Sequence, residues 1–314
     1  MSNTERVLPT GRQHKTRALA NRMKAAQRNM ALLFILPFIT LLVVFAVIPI
    51  LSTFYMSVMD FNSLRPLNEL KYIGLQNYLD VFNDSDTMAS FGRSLVFALI
   101  EVPLMIGIAL GLALLMNGNF HAKGALRTTI LIPYVCNITA VTIAWQSLLD
   151  PSSGPVNAVL SSLGLEDPPR WLGDPTLALP LAALVYVYMN ASYQAIVFLA
   201  ALQDVPAELH ESAKLDGASR QQVFWRITFP YISPATFFLV VTSILGSFQT
   251  YNLIATLTHG GPGGTTEVAA YRVVQLAFTF GQFSVATAQS VILFIGLMII
   301  TVLQFRGQKK WVNY

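Results

Sequence analysis

The sequence predicts an all-α integral membrane protein with six transmembrane helices and both termini on the cytoplasmic side. Of the 314 residues, 54% are hydrophobic and only 11% are charged, whereas soluble domains carry about 25% charged residues. Six apolar runs reach the roughly 20 residues that a helix needs to cross a bilayer. The basic residues of the connecting segments fall mostly on one side of these runs, and this asymmetry predicts the orientation.

The chain divides into a basic tail at 1–30 and a six-helix domain at 31–314. The tail holds seven lysines and arginines but no aromatic residue. This is typical of a cytoplasmic tail that fixes orientation, and unlike a nucleic-acid-binding face, so no nucleic-acid partner is expected. The predicted spans are 31–57, 93–116, 126–149, 177–202, 234–257 and 283–305, with a polar cytoplasmic segment at 203–233 between the fourth and the fifth.

Residue types that support metal, redox or hydrolytic chemistry are sparse. Cys136 is the single cysteine, and we expect it to be a small apolar filler in the third span. The four histidines are scattered outside the predicted spans, so no metal site and no catalytic site is expected. No G-x-x-x-x-G-K-[ST] phosphate loop is present, so the chain is not expected to be an enzyme that hydrolyses ATP.

The segment at 203–233 is polar, yet it has the pattern of folded structure rather than of a flexible linker. Pro206 suits the first turn of a helix, and Gly217 permits a tight turn after it. Ser219 can cap a second helix, which Pro230 is expected to stop. The segment is thus either an amphipathic connector on the membrane surface or a docking element for a cytosolic partner. The first helix is expected to present an apolar strip formed by Leu209, Ala213 and Leu215.

The stretch "ESAKLDGASRQQVFWRITFP" resembles the signature loop of permease subunits of binding-protein-dependent ABC importers. The family pattern is E-A-A, three residues, G, about nine residues, I-x-L-P. The first three positions match with serine in place of the first alanine, and the last four match with phenylalanine in place of leucine. The resemblance implies that this loop couples the chain to an ATPase. The coupling positions that it implies are Glu211, Ser212, Ala213, Asp216, Gly217, Ala218, Ile227 and Pro230.

The resemblance extends over most of the chain outside the tail. "YIGLQNYLDVF", "WLGDPTLALP" and "LTHGGPGGTTEVAAYRV" are similar to the first permease subunit of carbohydrate-uptake ABC importers, a group that includes maltose-type and glycerol-3-phosphate systems. The type I ABC importer permease fold is therefore expected, in a bacterial cytoplasmic (inner) membrane. Asn252 departs from the family, which often has aspartate there, and the change from acid to amide bears on specificity if this position meets substrate.

The resemblance also implies an assembly. The expected partners are a second, homologous permease subunit, two ATP-binding cassette subunits, an extracytoplasmic substrate-binding protein and the lipid bilayer. ATP and Mg²⁺ are expected on the ATPase subunits, and no cofactor is expected on this chain. Closure of the ATPase subunits would then drive the permeases between inward-open and outward-open states.

Polar side chains inside the predicted spans are candidates for a substrate pathway, because such groups are costly in lipid unless they face protein or water. Amides bond sugar hydroxyls, and aromatic rings stack on sugar faces. The alternative is hydrogen bonding between helices. Glu101, the single acid in mid-membrane, is expected to make a structural hydrogen bond. The candidate pathway residues are Asn190, Tyr193, Gln194, Gln249, Tyr251, Asn252 and Gln289.

Rival functions fit less well. A secondary transporter would require ion-coupling carboxylates and usually an internal repeat, and only Glu101 is available. A channel would show a filter-like loop or rings of charge, and neither is evident in the sequence.

The sequence therefore predicts the permease subunit of a sugar importer. Spans four to six contain no basic residue, which argues against a phosphate-bearing substrate, although a partner subunit could supply the cation. Import of glycerol-3-phosphate or a related polyol derivative by the same architecture is the alternative.

Overall fold

The computed structural model describes Gln27, Met30 and residues 32–61, 70–118 and 123–312. The predicted basic tail at 1–30 thus lies almost wholly outside the described residues. Within the described ranges the chain is mainly helical, with a small antiparallel pairing of Met59–Asp60 (β1) with Lys71–Tyr72 (β2). The all-α class predicted from composition is confirmed.

The helices have the following bounds. In chain order they are α1 Leu32–Met56, α2 Gln76–Asn83, α3 Ser85–Asn117, α4 Lys123–Val135, α5 Ile138–Leu148, α6 Pro155–Ser162, α7 Ala178–Gln203, α8 Ala207–Leu215, α9 Arg220–Tyr231, α10 Ser233–Phe248, α11 Asn252–Leu257, α12 Ala269–Val274 and α13 Phe283–Gly307. π-helical turns occur at Val43–Val47 in α1, at Phe224–Thr228 in α9 and at Gln275–Thr279 after α12.

Four of these helices, α1, α3, α7 and α13, are long and apolar enough to cross a membrane. Two further pairs pass the same test only together: α4 with α5, bent by 97°, and α9 with α10, bent by 66°. The described residues therefore provide four to six crossings, and the six-span count stays a prediction. The α1 helix belongs to a compact unit of its own that ends at Tyr55. No residue of α1 is buried, which fits a helix that faces lipid or another protein.

The second unit, from Met56 onward, is organised around α3 and α7, which pack along each other. Alanines at the contact let the two backbones approach closely, as is usual between helices in membranes. Ala109 and Ala113 on α3 and Ala182 and Ala195 on α7 are completely buried. The α10 helix packs on this pair, α4 and α11 pack on α7, and α12 packs on α3.

The third predicted span is interrupted in the middle. Pro133 lies in the last turn of α4, and its missing N–H leaves a gap in the helical hydrogen bonds. Asn137 then caps α5, since its side-chain oxygen accepts from the backbone N–H of Thr139 at 2.8 Å. The expectation for Cys136 was wrong, because it lies at this interruption with its side chain exposed.

The fifth predicted span, to residue 257, is also interrupted. The α10 helix ends at Phe248, and α11 begins at Asn252, after three intervening residues. Thr250 donates its hydroxyl hydrogen to the carbonyl of Gly246 at 2.9 Å, a local bond that competes with the helical pattern. We call residues 249–251 the α10–α11 break.

A buried arginine joins the start of α3 to α12. The Arg272 guanidinium donates to the Asp84 carboxylate at 2.8 Å and lies 3.7 Å from the Glu267 carboxylate. Asp84 also caps α3 and accepts from the Thr87 hydroxyl at 2.5 Å. Partial burial raises the pKa of Asp84, but the hydrogen bonds from Thr87 and Arg272 and the charge of Arg272 outweigh it, so the pKa falls below its ordinary value of 3.8.

We predict that Asp84→Asn lowers the thermal stability of the chain in detergent by about 1 kcal/mol at pH 7, a modest amount because the pair is partly open to solvent. The lowered pKa means that the carboxylate contributes fully above its ordinary value of 3.8, and that this contribution is lost as pH falls through the folded-state value. The difference between wild type and variant should therefore stay constant from pH 7 to pH 5 and shrink below pH 3.8. Asp167→Asn, in an exposed loop, is the control. A difference that grows on acidification would contradict this account.

Candidate functional site

The α8 helix and the turn after it form the first half of the segment that the sequence singled out. The helix begins after Pro206 and ends at Leu215. Gly217 follows with φ of 75°, a left-handed conformation that favours glycine. Its N–H donates to the carbonyl of Lys214 at 3.1 Å, while the N–H of Ala218 donates to that of Ala213 at 2.9 Å. These two bonds form a Schellman motif, which closes the helix end.

The second half, α9, starts with a reciprocal cap. The Ser219 hydroxyl accepts from the backbone N–H of Gln222, and the Gln222 side chain accepts from the backbone N–H of Ser219. The predicted role of Ser219 is confirmed, but Pro230 does not stop the helix, which continues to Tyr231. A π-helical turn at Phe224–Thr228 precedes the proline. This local change in hydrogen bonding accommodates a residue that cannot donate.

The segment presents a mixed surface. Ala213 is buried at 8% exposure, whereas Leu215 is 90% exposed. The expected strip of three residues was therefore wrong for Leu215, because a residue two positions after Ala213 points to the opposite side of a helix. Trp225 is 57% exposed and lies edge-on to the Phe224 ring. The other predicted coupling positions divide into exposed ones, Glu211, Ser212, Asp216 and Gly217, and half-buried ones, Ala218, Ile227 and Pro230.

A cavity of about 270 Å³ lies between this segment and the ends of α3 and α7. Leu114 and Leu202 contribute apolar walls, and Lys214 and Arg220 contribute basic groups. The segment is thus a folded element seated partly on the helical core and partly open.

The predicted pathway residues fall into two groups. Gln194 and Gln289 are buried, and their amides link helices. Gln194 donates to the Ser243 hydroxyl of α10 at 2.7 Å, and Gln289 donates to the carbonyl of Ala269 at 3.3 Å. The remaining residues are half-buried or exposed: Asn190, Tyr193, Gln249, Tyr251 and Asn252.

Two of the half-buried or exposed candidates stack on another aromatic ring. Tyr193 stacks on Tyr134 of α4, with ring centroids 5.3 Å apart. Tyr251, in the break, stacks on Tyr271 of α12 at 5.9 Å. No local sequence pattern singles out Tyr134, since its partner lies almost 60 residues away along the chain.

Glu101 of α3 is completely buried, and its carboxylate accepts from the hydroxyl of Ser247 in α10 at 2.5 Å. This is the structural hydrogen bond that the sequence predicted. Ser243, one turn before Ser247, was missed. The spacing of two serines four residues apart in an apolar helix is the signal that could have found the pair.

The chain matches a family model described as "Binding-protein-dependent transport system inner membrane component" over residues 103–310. It is 29% identical over 291 residues to the trehalose/maltose transport system permease protein MalF of Thermococcus litoralis, with 92% of this chain and 96% of that protein covered. It is 31% identical over 283 residues to the sn-glycerol-3-phosphate transport system permease protein UgpA of Agrobacterium fabrum, with 90% and 95% covered.

Among solved structures, the chain resembles one from a bacterial ABC transporter involved in the import of the acidic polysaccharide alginate. The TM-score is 0.82 at 23% identity, with 93% of this chain and all of that chain covered. A second structure, of the alginate transporter with an alginate pentasaccharide-bound periplasmic protein, matches with a TM-score of 0.81. At this level of identity the likeness establishes a shared fold.

We predict that Gly217→Ala destabilises the turn between α8 and α9 by about 1–2 kcal/mol, because a residue with a Cβ resists the left-handed conformation. An added Cβ would meet no atom within 4 Å, so the effect should be conformational rather than steric. Hydrogen exchange of the amides in 207–228 should accelerate in the variant. Gly296→Ala in α13, which also meets no neighbouring atom and has ordinary helical backbone, is the matched control. Equal exchange in all three proteins would contradict the role assigned to Gly217.

Proposed function

Because the chain belongs to the family of binding-protein-dependent transport system inner membrane components, we propose that it is the permease subunit of an ATP-driven importer that carries a sugar across the membrane. The observation that supports the sugar most directly is the similarity to the trehalose/maltose permease, which extends over 92% of this chain. The pathway candidates are amides and aromatic rings, the groups that bond sugar hydroxyls and stack on sugar faces.

The α8–α9 segment is proposed as the element that docks on an ATPase subunit. Its shape is set by the Schellman motif at Gly217 and by the Ser219 cap, so it can transmit force as a folded unit. The exposed Leu215 and Trp225 supply apolar anchors, and Glu211 supplies a polar contact. Buried Ala213 seats the segment on the rest of the chain.

The proposed assembly contains a second homologous permease, two ATP-binding cassette subunits that bind ATP and Mg²⁺, and an extracytoplasmic binding protein. In a bacterial inner membrane both termini of this chain would lie in the cytoplasm. Six crossings result if each of the bent pairs, α4 with α5 and α9 with α10, counts as one span. In this proposed topology α10 makes most of the fifth crossing, and the α8–α9 segment, whose second helix is bent away from α10 by 66°, would lie on the ATPase side.

A neutral sugar is favoured over a phosphorylated substrate. The α7, α10 and α11 helices contain no lysine or arginine. Arg272, on the neighbouring α12, is buried and already paired with carboxylates, so a substrate phosphate would have to displace them. Similarity to a glycerol-3-phosphate permease makes that compound the second candidate. The sugar and the glycerol-3-phosphate candidates can be distinguished by an uptake measurement. Cells that express the assembled transporter are given labelled trehalose, maltose or glycerol-3-phosphate.

We predict that affinity purification of this chain from native membranes recovers a second permease and an ATPase subunit. Gly217→Pro or Ala213→Glu should abolish recovery of the ATPase and transport, because the first breaks the turn and the second places a charge at a buried position. The variant chains should remain in the membrane.

Ala158→Glu is the matched control for Ala213→Glu, because Ala158 is an exposed alanine on the short α6 helix. This control should retain the ATPase. Recovery of the chain alone in a fully transporting state would overturn the ABC importer assignment and favour a secondary transporter.

We further predict that Asn190→Ala and Gln249→Ala each raise the KM for sugar uptake roughly threefold to tenfold, the effect of losing about one hydrogen bond. The amount of ATPase recovered with the chain should not change. Thr301→Ala in α13, whose hydroxyl bonds only a carbonyl of its own helix, is the control. Unchanged uptake kinetics in both amide variants would remove these residues from the pathway.

A further inference from the structure

The α10–α11 break is flanked by polar contacts that tie the last turns of α10 to two neighbouring helices. Ser247 is the penultimate residue of α10, directly before the break. Its hydroxyl bonds the Glu101 carboxylate of α3 at 2.5 Å. One turn earlier, the Ser243 hydroxyl accepts from the Gln194 amide of α7 at 2.7 Å. We call these four residues the polar clamp.

The clamp lies in a tightly packed place. Glu101 and Ser247 are completely buried, and Gln194 and Ser243 are almost so. Gly246, between the two serines, has no room for a side chain, since an added Cβ would lie 2.7 Å from the hydroxyl oxygen of Tyr186 on α7. The α3, α7 and α10 helices therefore meet at the end of α10, and the hydrogen bonds of the clamp run between helices. The second oxygen of Glu101 and the amide oxygen of Gln194 are buried with no hydrogen-bond partner among the described residues.

The hydrogen bonds of Ser247 can be counted. Its hydroxyl has one hydrogen and two acceptors in range, the Glu101 carboxylate and the carbonyl of Ser243 at 2.9 Å. Either Ser247 donates to Glu101, or Glu101 carries the proton, donates to Ser247 and leaves the serine hydrogen for Ser243. Both arrangements join α3 to α10. A glutamine at position 101 can reproduce either one, because its amide both donates and accepts, whereas leucine can reproduce neither.

The far side of the break is held separately. The Gln146 amide of α5 donates to the carbonyls of Thr256 and Leu257 at 2.9 Å each, which satisfies the C-terminal end of α11. Within the break the backbone makes only short-range bonds, such as that from the Tyr251 N–H to the carbonyl of Gln249 at 2.9 Å. The conformation of the break thus depends on the contacts at its two ends and on the stacking of Tyr251 on Tyr271 of α12.

From this geometry we propose that Glu101 is a positioning residue. Through Ser247 it fixes the last turn of α10, and thereby holds Gln249, Tyr251 and Asn252 where they can face a substrate. The bond between Glu101 and Ser247 stands on contacts alone, while its consequence for transport rests on the proposed function.

The test is hydrogen exchange of the full chain in lipid nanodiscs, read at the amides of 248–254 and compared with those of α6. Ser247→Ala and Glu101→Leu should accelerate exchange in 248–254 at least tenfold and leave α6 within threefold of wild type. Glu101→Gln should stay within threefold at both places. Leu99→Ala is the control, because Leu99 lies on the same helix, two residues away, and is 65% exposed.

Three results of the exchange measurement would overturn the proposal. Wild-type exchange at 248–254 in Ser247→Ala would overturn the proposal, as would acceleration at both places, which indicates a general loss of stability. Failure of glutamine to preserve protection would overturn it as well. If Glu101→Leu does not fold, Ser247→Ala and Glu101→Gln still decide the question.

The transport consequence has its own readout. In the assembled transporter, with labelled trehalose as the probe, Ser247→Ala should raise the KM at least threefold and change kcat less than twofold. If Ser247→Ala accelerates exchange locally but not even the wild-type transporter takes up trehalose, the clamp proposal is supported and the proposed function is contradicted. A lower kcat at an unchanged KM would overturn the positioning role.

Discussion

The close contact of α3 with α7 is the interaction on which the rest of the second unit depends. Both larger apolar clusters include residues of these two helices, and α4, α10, α11 and α12 each pack on one or both of them. Helices in lipid gain little from the hydrophobic effect, so close backbone approach through small residues must supply the packing energy. Ala109 and Ala113 face Ala195 and Phe198 within one such cluster, and larger residues there would push the helices apart.

The packing of this pair makes interruptions in the neighbouring helices tolerable. Irregular backbone at membrane depth needs partners, since lipid offers none. The α10–α11 break has them in Ser247, Thr250 and Gln146, whose side chains bond across helices or to local carbonyls. The interruption between α4 and α5 has one in Asn137. Gln249 and Tyr251, which we propose face the substrate, can therefore lie in irregular backbone next to the packed α3–α7 pair.

The α8–α9 segment is stabilised differently from the helices of the second unit's core. It lies outside the apolar runs, so water can satisfy its polar surface and its shape depends on local bonds. The Schellman motif at Gly217 and the cap at Ser219 are both encoded by residues adjacent in sequence. This is why the two-helix form of the segment could be predicted from the sequence, while the continuation of α9 past Pro230, which depends on a π-helical turn, could not.

The sequence by itself determined the helical class, the membrane character, the approximate bounds of four long helices, the two-helix form of the α8–α9 segment and the hydrogen-bonded role of Glu101. These properties follow from composition, from 3.6-residue periodicity and from short-range turn chemistry. Only the tertiary structure decided which pathway candidates are exposed and which are buried between helices. Gln194 and Gln249 are the same residue type in similar apolar surroundings along the chain, yet one bonds Ser243 across a helix interface and the other is exposed in a break. That difference depends on contacts between residues about 50 positions apart, and no local pattern records them.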